Sequence, residues 1–428
     1  MKKINCFMPN YPINPGMFVG RLEELESLER ILLQTRAGQP ANFIISGERG
    51  IGKTSLLNYI RDVAQGFIPI GEKKLKYLVV ETDIDQNTTQ MGLIQKIELG
   101  IRRELSKTEK IKSFLKQTWS FMQRIEAAGF AIKENNQKRE AEIIIEEFAY
   151  SLADTIKRVS CPGDDGLIDV QYDGLLILID EADNCSSLNL GQFFKLLLER
   201  VQRQNCFKIC VGLAGLPDLT VLLHQSHPSS VRMFEELYLD RLSDNEIASV
   251  IEICITAANE KNQTQTTITE KAKSVLIGFS EGYPHFIQQF GFSAFDYDSD
   301  NEINEDDVMV SAFGRMGADF GPRGALEIIG DRFYRNNFYN KIQKDNYRQV
   351  LRIMAEKLDE WVTKQQIKEN FKGSDTTLRN ALQALRTRHI ILSKEGERGV
   401  YRLQHKGFAL WIKLYTTERS QDVLKTPH

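Results

Sequence analysis

Apolar residues change their period along this chain, and the changes divide it. Short, nearly continuous apolar runs at 42–46, 77–81, 175–179, 207–213 and 236–239 predict strands. Helical spacing lies between them, so the strands read as a parallel sheet covered on both faces, an α/β fold. Between the second and third strands, 91–159 carries Ile94, Ile97, Ile101 and Leu105, then Ile143, Phe148, Leu152 and Ile156. That spacing predicts helices inserted into the core, with polar 131–142 as a loop. After Leu242 the pattern is purely helical. Ser243 and Glu246 form a capping-box signature, Gly282-Tyr283-Pro284 breaks one junction, and the helices run to about Phe320. Gly321-Pro322-Arg323-Gly324 reads as a linker. The last segment predicts helices at 346–357, 363–371 and from a Ser374 cap to 388, then a strand-turn-strand over 390–403. Three helices followed by a hairpin is the pattern of a winged helix-turn-helix.

Composition changes this picture at one end only. The 428 residues, 42% hydrophobic and 26% charged, suit several globular domains. A net charge of −3 conceals an asymmetry: 331–428 holds 20 Lys and Arg against 11 Asp and Glu, whereas the first 330 residues hold 35 against 47. The basic tail points toward a nucleic-acid surface, the alternative being a solvated face. The start Met1-Lys2-Lys3 leads into no long apolar run, and no apolar stretch approaches the ~20 residues that cross a bilayer. A cytoplasmic protein with reduced thiols and no membrane contact is expected. Cys206 and Cys210 lack a second Cys/His pair, so they read as core rather than zinc ligands.

The chemistry begins where the first strand meets a helix. Gly47-Glu48-Arg49-Gly50-Ile51-Gly52-Lys53-Thr54 has the spacing at which glycines turn backbone N–H groups onto a phosphate, and the following helix adds its dipole; Ser55 continues the cradle. Lys53 would reach the β- and γ-phosphates of ATP, and Thr54 would offer its hydroxyl to Mg²⁺. The apolar run 175–179 ends in Asp180-Glu181, two carboxylates at the sheet edge where such folds bind ligands. Asp180 would hold Mg²⁺ and Glu181 would orient the attacking water. This predicts a P-loop ATPase core over 1–242 with its insertion at about 91–159, a helical lid and linker over 243–330, and a winged-helix domain over 331–428.

With Phe18-Val19-Gly20-Arg21 and the amphipathic 22–33 ahead of the loop, the chain resembles AAA+ ATPases, particularly the origin-recognition and replication-initiator group and its bacterial relatives. The resemblance covers most of the chain outside the insertion. It implies Val19, Gly20 and Arg21 as the adenine pocket, Arg232 as an arginine finger acting on a neighbouring subunit's ATP, and self-association. It also places Pro284 and His285 at the lid position facing the nucleotide, where an arginine is common. The fourth strand departs from the family pattern by ending Gly212-Leu213-Ala214-Gly215-Leu216 without a polar side chain for the γ-phosphate.

For double-stranded DNA, the second helix of the helix-turn-helix presents Thr376, Thr377, Arg379, Asn380, Gln383 and Arg386, and the hairpin tip adds Lys394 and Arg398. An ATPase that assembles on DNA or a DNA-bound complex is the main expectation. Its rivals are a STAND-like signalling or defence ATPase whose winged helix docks a protein partner, and a scaffold that binds ATP and scarcely turns it over.

Overall fold

The computed structural model describes residues 3–13, 18–105, 109–122, 137–161, 171–314, 323–342, 344–388, 390–394 and 396–416. The chain folds as two compact units, Pro12–Asp240, and Met1–Tyr11 together with Arg241–His428.

In the first unit, β1 (Asn42–Gly47), β2 (Leu78–Asp83), β3 (Leu175–Asp180), β4 (Ile209–Gly215) and β5 (Phe234–Leu239) form one parallel sheet in the order β2-β3-β4-β1-β5. β1 and β4 are buried along their whole length, as continuous apolar runs at the centre of a covered sheet must be. Packing is tight enough to dictate Gly212, because a Cβ there would stand 2.2 Å from Cζ of Phe43. Cys206 and Cys210 are buried, and burial pushes the Cys206 thiol up to about 11. Helix α1 (Leu22–Arg36) precedes β1, and α2 (Lys53–Ala64) follows it.

The insertion holds α3 (Gln90–Leu105), α4 (Glu109–Thr118) and α5 (Gln137–Ser160). Residues 137–142, expected as loop, open α5, because Gln, Lys, Arg and Glu, though polar, are good helix formers, as is Ala; 131–136 lie outside the described residues. The insertion shares one apolar core with the sheet. Trp119 meets Phe148 at 5.7 Å between ring centroids, Phe148 meets Phe193 at 6.2 Å, Phe193 meets Phe194 at 5.1 Å, and Phe194 meets Phe234 of β5 at 6.3 Å. The last three rings lie on α6 (Leu190–Arg203) and at the first residue of β5.

The second unit starts with α8 (Asp244–Lys261), counting α7 as Leu219–Ser226. Ser243 and Glu246 close the reciprocal capping box, which satisfies two orphan amides of the first turn. Then come α9 (Glu270–Ser280), α10 (Pro284–Tyr297) and α11 (Glu305–Phe313). Residues 3–10 lie along these helices: Lys3 pairs with Asp298 at 2.6 Å, the Met8 amide donates to Gln288 at 2.6 Å, and Phe7 fills the space beside Gly291. Of the linker, 321–322 lie outside the described residues, and Gly324 precedes α12 (Ala325–Ile329).

After wider, π-type turns over 330–341 come α13 (Asp345–Ala355), α14 (Lys364–Asn370), α15 (Asp375–Thr387) and α16 (Lys406–Tyr415). Strands Ile391–Ser393 and Val400–Leu403 pair antiparallel, and Val362–Thr363 adds a third strand on the far side of Val400–Leu403. Glu281 fastens α16, its two carboxylate oxygens accepting from the amides of Lys406 at 2.9 Å and Gly407 at 2.7 Å.

Candidate functional site

Between β1 and α2 the chain turns through left-handed glycines, Gly50 at φ 82° and Gly52 at φ 104°, which a Cβ would strain. Gly47 has no room for a side chain either, since a Cβ would stand 2.9 Å from the Leu239 carbonyl. No side chain caps α2 at Gly52, so its first amides remain for a ligand, with the helix dipole behind them.

Lys53 opens that helix with its ammonium folded back, donating to the carbonyls of Gly47 and Glu48 at 2.8 Å each. Burial lowers its pKa, while the charges of Asp180 and then Asp183 pull it back up. Glu48 and Arg49 lie on the outer side of the turn, and Ile51 is buried beneath it. Thr54 and Ser55 follow in the first turn of α2.

Parallel pairing brings the end of β3 beside this loop. Thr54 Oγ1 donates to Asp180 Oδ2 at 2.7 Å, and the Glu181 amide donates to Asp180 Oδ1 at 2.8 Å. Glu181 takes a left-handed backbone at φ 52°, uncommon for a residue with a side chain. Its carboxylate accepts from Asn184 Nδ2 at 2.9 Å, and the same amide group donates to the Ile84 carbonyl at 3.1 Å. Asp183 reaches the end of β4, where its Oδ1 accepts from the Leu216 amide at 2.9 Å. Asp183 and Asn184 escaped the sequence reading, although both follow Asp180-Glu181 within four residues.

Ahead of β1, Val19 and Gly20 are half-buried, and Arg21 adopts φ 63° with its guanidinium donating to Glu24 and the Asp240 carbonyl. Phe18 lies 6.1 Å from Tyr59 between ring centroids. Arg232 is exposed on a short turn, Val231–Met233, whose Val231 and Met233 pack on the core. Pro284 and His285 belong to the second unit, where they open α10; the His285 ring lies 4.7 Å from that of Phe333.

On α15, Leu378, Ala381, Leu382 and Leu385 are buried, and the opposite face exposes Thr376, Arg379, Asn380, Gln383 and Arg386. Thr377 is half-exposed and donates its amide to the Ser374 cap at 3.1 Å. Lys394 pairs with Glu397 at 2.5 Å in the hairpin turn, and Arg398 beside it is exposed.

Residues 17–209 match the family described as the AAA ATPase domain. Over 82 residues the chain is 39% identical to an uncharacterized HTH-type transcriptional regulator of Methanocaldococcus jannaschii; this stretch is 19% of the chain and 18% of that relative's length. Among solved structures, the Aeropyrum pernix ORC2 protein in its ADPNP-ADP complexes is similar with a TM-score of 0.56, 15% identity and 98% of each chain covered. A Walker-type ATPase of Pyrococcus abyssi gives 0.53 and 14% identity, over 92% of this chain and 96% of that one. These likenesses establish the fold.

Proposed function

We propose that this chain, whose residues 17–209 match the AAA ATPase domain, is a nucleotide switch that hydrolyses ATP where subunits meet and engages DNA through its C-terminal segment. The observation that carries the reading is the convergence of Lys53, Thr54, Asp180 and Glu181 on one sheet edge. The Thr54 hydroxyl and Asp180 carboxylate are hard oxygen donors in contact, a pair that fits Mg²⁺ completed by water and phosphate oxygens. Bound there, the ion would neutralise phosphate charge. Lys53 exchanges its carbonyl acceptors for phosphate oxygens, and Glu181 orients the attacking water and takes its proton. Val19, Gly20 and Arg21 flank the base.

Arg232 suits a finger presented to a neighbouring subunit, because its guanidinium is exposed while its turn is anchored in the core on both sides. For DNA, support comes from the polar row on α15, the basic surplus of the tail and the three-helix, three-strand order of a winged helix. ATPase assays with and without duplex DNA across protein concentration test the whole. Turnover should rise with both; turnover indifferent to both would sink the assembly reading. Joint Arg379→Ala and Arg386→Ala should weaken DNA binding and flatten its salt dependence.

One observation favours a signalling switch instead. Glu281 holds the start of α16, which ties the C-terminal segment to the helices of its own unit. A protein that ignores DNA and releases a partner on hydrolysis would fit that arrangement.

A further inference from the structure

β4 ends without a polar side chain, yet the place beside it is filled from the turn that follows β3. A Cβ built on Gly215 would stand 2.6 Å from Asp183 Oδ1, the oxygen that accepts the Leu216 amide. Gly215 is therefore small because a carboxylate lies across it. Asp183 is half-buried, and among the described residues no hydrogen bond engages its Oδ2. Its charge also acts on Lys53, second among the charges there only to that of Asp180.

A carboxylate in that place differs in kind from a neutral amide or hydroxyl. It has no proton to donate to a γ-phosphate and repels that group's charge, but it accepts readily from water. We propose that Asp183 is the β4-side residue that holds the attacking water during ATP hydrolysis; this rests on the ATP reading of the site. The water oxygen bonds to the γ-phosphorus, and the bond from that phosphorus to the bridging oxygen breaks, its electron pair leaving with ADP. One water proton passes to Glu181. The other, held toward Asp183 Oδ2, stays on the oxygen and departs with the phosphate. Because Oδ1 is fixed to Leu216, any shift of Asp183 as phosphate leaves is felt at the end of β4.

The same fixed charge penalises a third phosphate, which sets the test. Asp183→Asn keeps an oxygen for the Leu216 amide and loses the charge. With magnesium present, its ATP-to-ADP affinity ratio should rise about tenfold over the unsubstituted protein, while kcat falls at least about tenfold. Asp183→Glu, which keeps the charge but displaces it, should leave the ratio near the original and lower kcat. ADP binding on the same preparations reports an intact site. A ratio and a kcat both within about twofold of the original in Asp183→Asn would overturn the proposal. If the unsubstituted protein bound neither nucleotide, or if Lys53→Ala bound both normally, the ATP reading beneath it would fall instead.

Discussion

Thr54 Oγ1 stands 2.7 Å from Asp180 Oδ2, so the first turn of α2 and the end of β3 are joined by a single hydrogen bond at the centre of the site. A cation arriving there meets two oxygens already in place. Thr54→Ala should weaken magnesium-dependent ATP binding, while Lys53→Ala should lower kcat/KM by about 100-fold or more. Titration with a fluorescent ATP analogue, with and without magnesium, reads the first directly; binding equal to that of the unsubstituted protein would count against the assignment.

Glu181→Gln removes the carboxylate proposed to take the water's proton and leaves the loop's own hydrogen bonds to Lys53 in place. Turnover should fall by about 10²–10³-fold with nucleotide affinity little changed. Single-turnover hydrolysis of labelled ATP checks it, and a variant that turns over normally would move the base elsewhere.

Gly212→Ala inserts a methyl group where the Phe43 ring leaves none. Overpacking of this kind costs about 1–3 kcal/mol, visible as a lower urea midpoint for the first unit. Combining it with Phe43→Leu should recover part of the loss. No recovery would mean that the clash is not with that ring.

His405 supplies a pH dependence. Its Nδ1 is buried and unpartnered although the residue as a whole is only partly buried, and its ring packs 4.9 Å from that of Tyr283. Burial, with some help from Arg241, lowers its pKa from 6.5 to about 3. The unfolded chain therefore binds a proton between those values that the folded chain refuses. Stability is full above about pH 6.5 and is lost as the pH falls toward 3, by about 1–2 kcal/mol at pH 5. Thermal unfolding of the unsubstituted protein and of His405→Phe at pH 7 and pH 5 should show a shallower acid dependence in the variant.

The loop and the paired carboxylates were readable because their chemistry is local. Phosphate-binding turns need glycine at fixed spacing, and a buried strand that ends in two carboxylates announces a sheet edge. The contact of Asp183 with the end of β4 was not readable, since it depends on β3 and β4 being neighbours, which no spacing along the chain states. The docking of residues 3–10 on α8 and α10 is likewise a long-range fact. Helix α16 follows a strand almost directly, so no break in the pattern announces it, and 137–142 are helical because helix propensity there outweighs polarity.

The ring-to-ring path from Trp119 to Phe234 bears on how this protein can be shortened. Because the insertion contributes its aromatics to the sheet's own core, excising it would bare the outer face of α6 and loosen the first residue of β5. Phe234 directly follows the turn that carries Arg232. A chain trimmed to a minimal core would thus lose the rigid mounting of the turn that carries Arg232, even with the loop between β1 and α2 retained.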